Sequence, residues 1–284
     1  GSSAEIASVQ SAIARFGRSR VNPNLPDVNT DWYKQALRPA SIMNHDISVD
    51  GGSEKISYSI GGSYFSQDGI LDMKNSYKRY NLRAKIEAKA KDWLTIGASM
   101  GYSKSEQYGY GGNSPWSAIY YAVPILPVLD ENYAGTTQYS EPYSSAKDIG
   151  YRDHQNPFPG IYNIDNLGDR RRITANVFGD FHIIPKTLNF KTSLSYNNRN
   201  DNNRMMALPF YIASAYQRTL VESSITRSNV VEENYTFDNT LTYTKVFGDH
   251  DVTAMAGFSF RDEKYDFSSG KGYFYEGSPF TRDV

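Results

Sequence analysis

From Leu82 to Ala90 every second residue is apolar: Leu82, Ala84, Ile86, Ala88 and Ala90, separated by Arg83, Lys85, Glu87 and Lys89. Alanine, lysine and glutamate are strong helix formers, but on a helix these apolar side chains would spread around most of the circumference. On a strand they form one clean face. After the turn-like "AKDWL" the alternation resumes, with Leu94, Ile96, Ala98, Met100 and Tyr102 opposite Thr95, Gly97, Ser99, Gly101 and Ser103. The spacing predicts a hairpin with one apolar and one wet face.

The same pattern recurs along the chain. His45, Ile47 and Val49 lead through "GGSEK" into Ile56, Tyr58, Ile60 and Tyr64. Ile173, Ala175, Val177, Phe181 and Ile183 lead through "IPKT" into Leu188, Phe190, Leu194 and Tyr196, and Tyr235, Phe237, Leu241 and Tyr243 lead through "FGDH" into Val252, Ala254, Ala256, Phe258 and Phe260. This amounts to about eight strands in four hairpins. Residues 5–16 place Ile6, Val9, Ile13 and Phe16 on one helical face with Gly17 as a stop. Residues 1–40 are therefore expected to be a helix-containing loop or linker before the first strand.

The connections alternate in length. Tight turns fall near residues 51, 91, 185 and 248, and long loops are expected at 67–75, 105–169, 199–229 and 262–284. This sorting is the layout of an all-β, antiparallel up-and-down transmembrane β-barrel segment, with short periplasmic turns and long external loops. Residues 41–284 are expected to form it. The segment Tyr80 to Ala90 is about as long as the 9 to 11 tilted residues that cross a bilayer. Trp93 and Phe247 near tight turns, and Tyr64, Phe65, Tyr80 and Tyr102 near long loops, occupy girdle positions. Lipid would then meet Leu82, Ile86, Leu94 and Ile96, with Arg83, Lys85, Glu87 and Lys89 facing a wet lumen. In this register Thr192 and Asn239 fall on the lipid face and Phe178 on the lumen face.

Composition fits that reading. Only 39% of the 284 residues are hydrophobic and the mean hydropathy is -0.58, which is low for a conventional core of this size, although 23 Tyr and 14 Phe are present. A barrel strand needs only half its residues to be apolar. Thirty basic and thirty-one acidic side chains give a net charge of -1, so no global field draws nucleic acid. The absence of cysteine excludes disulfides, thiolate metal sites and a cysteine nucleophile. No apolar run approaches the roughly 18 residues of a spanning helix.

Residues 29–71, "NTDWYKQALRPASIMNHDISVDGGSEKISYSIGGSYFSQDGIL", resemble the SusC/RagA branch of the TonB-dependent outer-membrane transporters. The likeness rests on Asp31-Trp32-Tyr33, Asn44-His45, "SVDGGSEK" and "YFSQDGI", and continues through "YKRYNLRAKIEAKAKDWLTIG", "VPILPVLDENYAG" and "NPFPGIYN". The resemblance implies energised import of oligosaccharides or peptides across the outer membrane of Bacteroidetes-type bacteria. It also implies a SusD-like surface lipoprotein and the TonB complex as partners, and no cofactor. No signal peptide, TonB box or plug-like segment is expected before residue 40, and "EGSPFTRDV" does not resemble a closing strand. Against the about 22 strands of plugged transporters, the sequence reads as an early-barrel fragment whose plug region lies outside it.

Candidate chemistry is sparse. "GASMG" matches the G-x-S-x-G pattern around Ser99, but that motif works on a sharp strand-to-helix turn and here lies inside an alternating strand. His45, His154, His182 and His250 lack metal-ligand spacing, and "NNRNDNN" at 197–203 reads as turn and loop chemistry. The long loop carries Tyr108, Tyr110, Trp116, Tyr120 and Tyr121, with Ser114-Pro115 expected to start a short helix that ends before Pro124. These aromatics are candidates for contact with cargo or a protein lid, and equally for packing the loop against its neighbours. A barrel enzyme would need acid–base or nucleophilic residues converging at the rim, and none cluster there. An adhesin or binding module without energised transport is the remaining alternative.

Overall fold

The computed structural model describes residues 3, 7, 27–110, 115–130, 143–145, 156–210 and 223–274. The helix expected over 5–16 and the chain after 274 lie outside the described residues, apart from a helical Ala7. Eight strands form one sheet in sequence order, each antiparallel to the next. They are β1 (Ile42–Gly52), β2 (Ile56–Asp68), β3 (Ser76–Lys91), β4 (Leu94–Gly109), β5 (Ile164–Ile184), β6 (Leu188–Ala207), β7 (Ser223–Phe247) and β8 (His250–Phe274). Three short helices lie fully among the described residues: α1 (Trp32–Ala36), α2 (Pro115–Tyr121) and α3 (Phe158–Tyr162). This is a segment of an up-and-down β-barrel wall.

The pairing puts the predicted apolar positions on one face. Ile60 opposes Ala84, which opposes Met100, which opposes Ala175, and the line continues through Tyr196 and Tyr235. Leu82, Ile86, Ile96 and Met100 all stand exposed on this face. Aromatic pairs bound it at both ends. Towards the long loops Tyr64 and Tyr80 lie 5.0 Å apart and Tyr196 and Tyr235 4.9 Å apart. Towards the tight turns Trp93, Phe181 and Phe190 follow one another at 6.2 and 6.1 Å. From Tyr80 to Ala90 a strand rises about 33 Å, or about 25 Å once tilted as in a membrane barrel, which matches the height of its apolar band. Phe65 does not join the girdle. The pleat turns it to the polar face, where it meets Tyr77 at 6.0 Å and the Arg79 guanidinium at 5.9 Å.

Cross-strand hydrogen bonds stitch the polar face, among them Asn81 to Ser63 (2.8 Å), Asn176 to Ser195 (2.8 Å) and Asn189 to Asp180 (2.6 Å). Phe178 stands on this wet face as the register requires. Its ring lies over Gly97, where a Cβ would collide with it, and Lys191 Nζ sits 4.9 Å above the ring. Gly97→Val should therefore displace Phe178 and lower barrel assembly, at a cost of about 1–3 kcal/mol for overpacking. Heat-modifiable migration on gels measures this, and unchanged assembly would mean the ring moves aside freely. Thr192 and Asn239 are direct partners on the apolar face, between the Phe190–Leu241 and Leu194–Phe237 pairs.

The strands outrun the expected loops. β6 continues to Ala207 and β7 begins at Ser223, so the loop expected at 199–229 shrinks to 208–222. β5 begins at Ile164 and β8 runs to Phe274, well past the expected loop start at 262. "NNRNDNN" is accordingly strand, not turn. Asn197, Arg199, Asp201 and Asn203 share the polar face, and the Asn200 side chain accepts from both Asn202 (2.8 Å) and Asn229 (3.1 Å) on the other. Both faces meet water beyond the girdle, so the backbone ladder persists after hydrophobic alternation has ended.

Candidate functional site

Among the described residues, the one buried apolar cluster lies at the long-loop end. Trp32 and Ala36 of α1 pack with Leu71 and Met73 from the β2–β3 connection, Ile119 of α2, Ile125, Leu126, and Phe158 and Ile161 of α3. Four separate stretches of chain thus share one small core. Asp31 caps α1 by accepting from the Lys34 amide at 3.0 Å. Trp32 is 4% exposed, stands 5.8 Å from Phe158 and donates through Nε1 to the Val123 carbonyl at 2.9 Å. The Thr30 amide and hydroxyl bond the Pro124 and Leu126 carbonyls, each at 2.7 Å. Buried Asn156 donates to the Val128 carbonyl at 2.7 Å and accepts from the Phe158 amide at 3.1 Å, setting up α3. Burial raises the Tyr162 phenol above its ordinary pKa, and nearby Asp72 adds to this.

On that base α2 turns Pro115 and Ile119 inward and presents aromatics outward. Trp116, Tyr120 and Tyr121 are 37%, 69% and 60% exposed, and the two tyrosine rings meet edge to face at 5.1 Å. The helix starts at Pro115 and ends at Tyr121, before Pro124, as the sequence indicates. Tyr110 is also exposed, and its carbonyl accepts from Asn166 at 3.3 Å. Tyr108 belongs elsewhere: it ends β4 under Lys74, whose Nζ is 4.0 Å from the ring. Lys74 also reaches buried Asp165 at 3.3 Å, which Arg204 meets at 3.5 Å, tying the β2–β3 connection to β5 and β6. The five aromatic candidates therefore divide. Three form the α2 surface, one stands beside the start of that loop, and one braces the strand ends.

Arg83, Lys85, Glu87 and Lys89 share the polar face of β3, directly opposite Gly61, Ser59, Ser57 and, on β4, Thr95. Sequence reasoning missed a second charged group on that face. Asp201, 8% exposed, accepts from Arg170 at 2.9 Å and forms an ion pair with Arg199 at 3.2 Å, and Arg199 also meets Glu232 at 3.3 Å. Its signal was the period-two run Asn197, Arg199, Asp201, Asn203 inside "NNRNDNN". Ser99 lies mid-strand in β4 opposite Lys85 and Asn176, without the sharp turn a nucleophile elbow requires. No group of three metal-capable side chains occurs among the described residues.

No protein-family model matches the chain. TonB-dependent receptor P26 of Formosa agariphila is 26% identical over 271 residues, which cover 90% of this chain and 25% of that protein. SusC of Bacteroides thetaiotaomicron, a TonB-dependent receptor, is 23% identical over 194 residues, covering 57% of this chain and 17% of that protein. The solved RagAB peptide transporter superposes with a TM-score of 0.68 at 20% identity, over 97% of this chain and 30% of that one. The chain is thus similar to a barrel segment of SusC/RagA-type TonB-dependent receptors. The chain spans about a quarter of the length of the curated relatives that match most of it. Those relatives are receptors and transporters, not enzymes.

Proposed function

We propose that the chain forms part of the wall and external roof of an outer-membrane importer for oligosaccharides or peptides, energised through TonB and working with a SusD-like surface lipoprotein. One observation carries this reading: an apolar band of membrane height joined at its long-loop end to a compact roof that presents aromatic side chains outward. A barrel needs only strands and turns to sit in a membrane. A buried tryptophan clamp under a five-residue and a seven-residue helix serves a further task, which is to hold a surface in a fixed shape. Trp116, Tyr120 and Tyr121 carry large contact area with few torsions to freeze, the property that makes aromatics dominate binding patches. The peptide named for RagAB and the receptor name of SusC leave both cargo classes open for this chain.

Replacing Trp116, Tyr120 and Tyr121 together by alanine in the full-length protein should leave barrel formation unchanged, since none of the three lies in the buried cluster. Co-purification of the lipoprotein, or growth on the cognate nutrient, should fall by about tenfold or more, the loss expected when a hot-spot aromatic worth about 2 kcal/mol is removed. Wild-type pairing and growth in this variant would assign α2 to loop packing alone.

A further inference from the structure

Beyond the aromatic girdle, on the face that meets lipid lower down, a trough of about 600 Å³ crosses β5 to β8. That volume lies within the about 300–1,000 Å³ of small-molecule sites. Two rows of side chains wall it. Asn202, Asn229 and Ser268 follow one another in register on the membrane side, and Arg204, Arg227 and Gly270 do so on the far side. The pleat turns Asn203, Ser228 and Ser269 to the other face, so backbone floors the trough.

The chemistry of the walls suits sugar hydroxyls. Asn229 donates its amide to the side-chain oxygens of Asn202 (2.6 Å) and Asn200 (3.1 Å), and Asn202 donates to Asn200 at 2.8 Å. These bonds fix how the amides point. An amide carries two donor hydrogens and an oxygen with two lone pairs, so the Asn229 oxygen remains to accept beside an Asn202 N–H that remains to donate. Neighbouring sugar hydroxyls, each both donor and acceptor, match that pair, and exposed Arg227 adds a planar fork of N–H donors on the facing wall. The other ionised groups here are matched: Arg204 with Asp165 at 3.5 Å, Arg171 with Asp169 at 3.0 Å and Lys104 with Glu106 at 2.6 Å. A bare phosphate meets no concentrated positive field.

Height identifies the source of the sugar. Asn202 and Asn229 lie six residues beyond the girdle tyrosines Tyr196 and Tyr235, about 20 Å along a strand and about 15 Å above the girdle at barrel tilt. The headgroup layer of a bilayer is only about 5–8 Å deep and ends well below the trough. A bilayer lipid reaches this level only when its head carries several sugars. Cargo in the lumen is on the other side of the sheet.

We propose that the trough holds the saccharide head of an outer-leaflet glycolipid, with Asn202 and Asn229 reading its hydroxyls. The inference rests on the outer-membrane placement in the import reading and is independent of its cargo.

The test uses glycolipid extracted from the outer membrane of the native host, the lipid A left after its saccharide is removed, and the released saccharide. Each is offered to detergent-purified full-length protein, and bound ligand is counted by native mass spectrometry. Wild-type protein should retain the intact glycolipid about tenfold more than lipid A, the difference that one or two net hydrogen bonds make. Combined Asn202→Ala and Asn229→Ala should bring the two to parity, with lipid A retention and heat-modifiable migration unchanged. Gly270→Trp should do the same by filling the trough, because a Cβ there meets no atom within 4 Å and the sheet accepts it. Equal retention of glycolipid and lipid A by wild type, or a preference that survives both changes, overturns the proposal. So does released saccharide that binds as tightly as the intact glycolipid, which would make the ligand a free glycan. Fractionation away from the outer membrane overturns the import reading as well, whereas protein found there leaves that reading standing whatever the binding result.

Discussion

Ile86→Arg in the full-length protein is expected to cut the yield of heat-modifiable barrel severalfold, while Lys85→Ala leaves it close to wild type. Ile86 lies six residues from Tyr80 in β3, near the middle of the apolar band, with its side chain 49% exposed on that face. An arginine at the midplane of the lipid face of such a barrel costs about 2–4 kcal/mol. Its neighbours in register, Tyr58 and Ala98, offer no acid to offset the charge. Lys85 is on the opposite face beside Ser59 and Ser99, where loss of one amine leaves only small polar neighbours and a weak pair with Glu87. Measuring both variants side by side tests the orientation of the whole sheet, because the pleat couples every residue of a strand to one face or the other. Greater damage from the lysine change would reverse the inside and outside of the barrel.

Trp32→Ala is expected to loosen the external roof while the strands remain paired. The indole is 4% exposed, packs against Phe158 and gives its N–H to the Val123 carbonyl. Truncating a buried tryptophan costs about 3–5 kcal/mol, and the cluster that would absorb the cavity is small. Limited proteolysis should speed up within residues 110–163, which connect β4 to β5, and heat modifiability of the barrel should stay unchanged. If cleavage in that stretch is no faster than in wild type, the clamp is not what orders the roof, and α2 owes its position to something else.

The two variants probe parts of the molecule that were unequally legible beforehand. Inside the membrane band one face meets lipid and the other water, so residue type alternates strictly and Leu82 to Ala90 could be assigned by inspection. Past the girdle that contrast vanishes. Asn197 to Asn203 then look like loop by composition, although the ladder of β6 continues through them and Asp201 sits in a network with Arg170 and Arg199. α2 was legible because proline marks both its ends, locally and sterically: Pro115 opens it and Pro124 lies just beyond it. α1 was not, despite the Asp31 cap. A five-residue helix cannot nucleate on its own and exists because Trp32 and Ala36 are buried by Leu71, Ile119 and Phe158.

Sequence alone determined the strand faces, the alternation of tight turns with long connections, and the aromatic bands. Each follows from period-two patterning and turn chemistry, which act between residues close in the chain. It also placed Thr192, Asn239 and Phe178 on their faces, though not why the last is tolerated there. Only the tertiary structure decided that Phe178 rests over Gly97 under Lys191, and that Tyr108 braces Lys74 apart from the α2 aromatics. It likewise decided that residues as distant as Thr30, Leu71, Ile119 and Phe158 close into one roof. These contacts join residues tens to more than a hundred positions apart, and their energy appears only once the sheet has set the loop ends side by side.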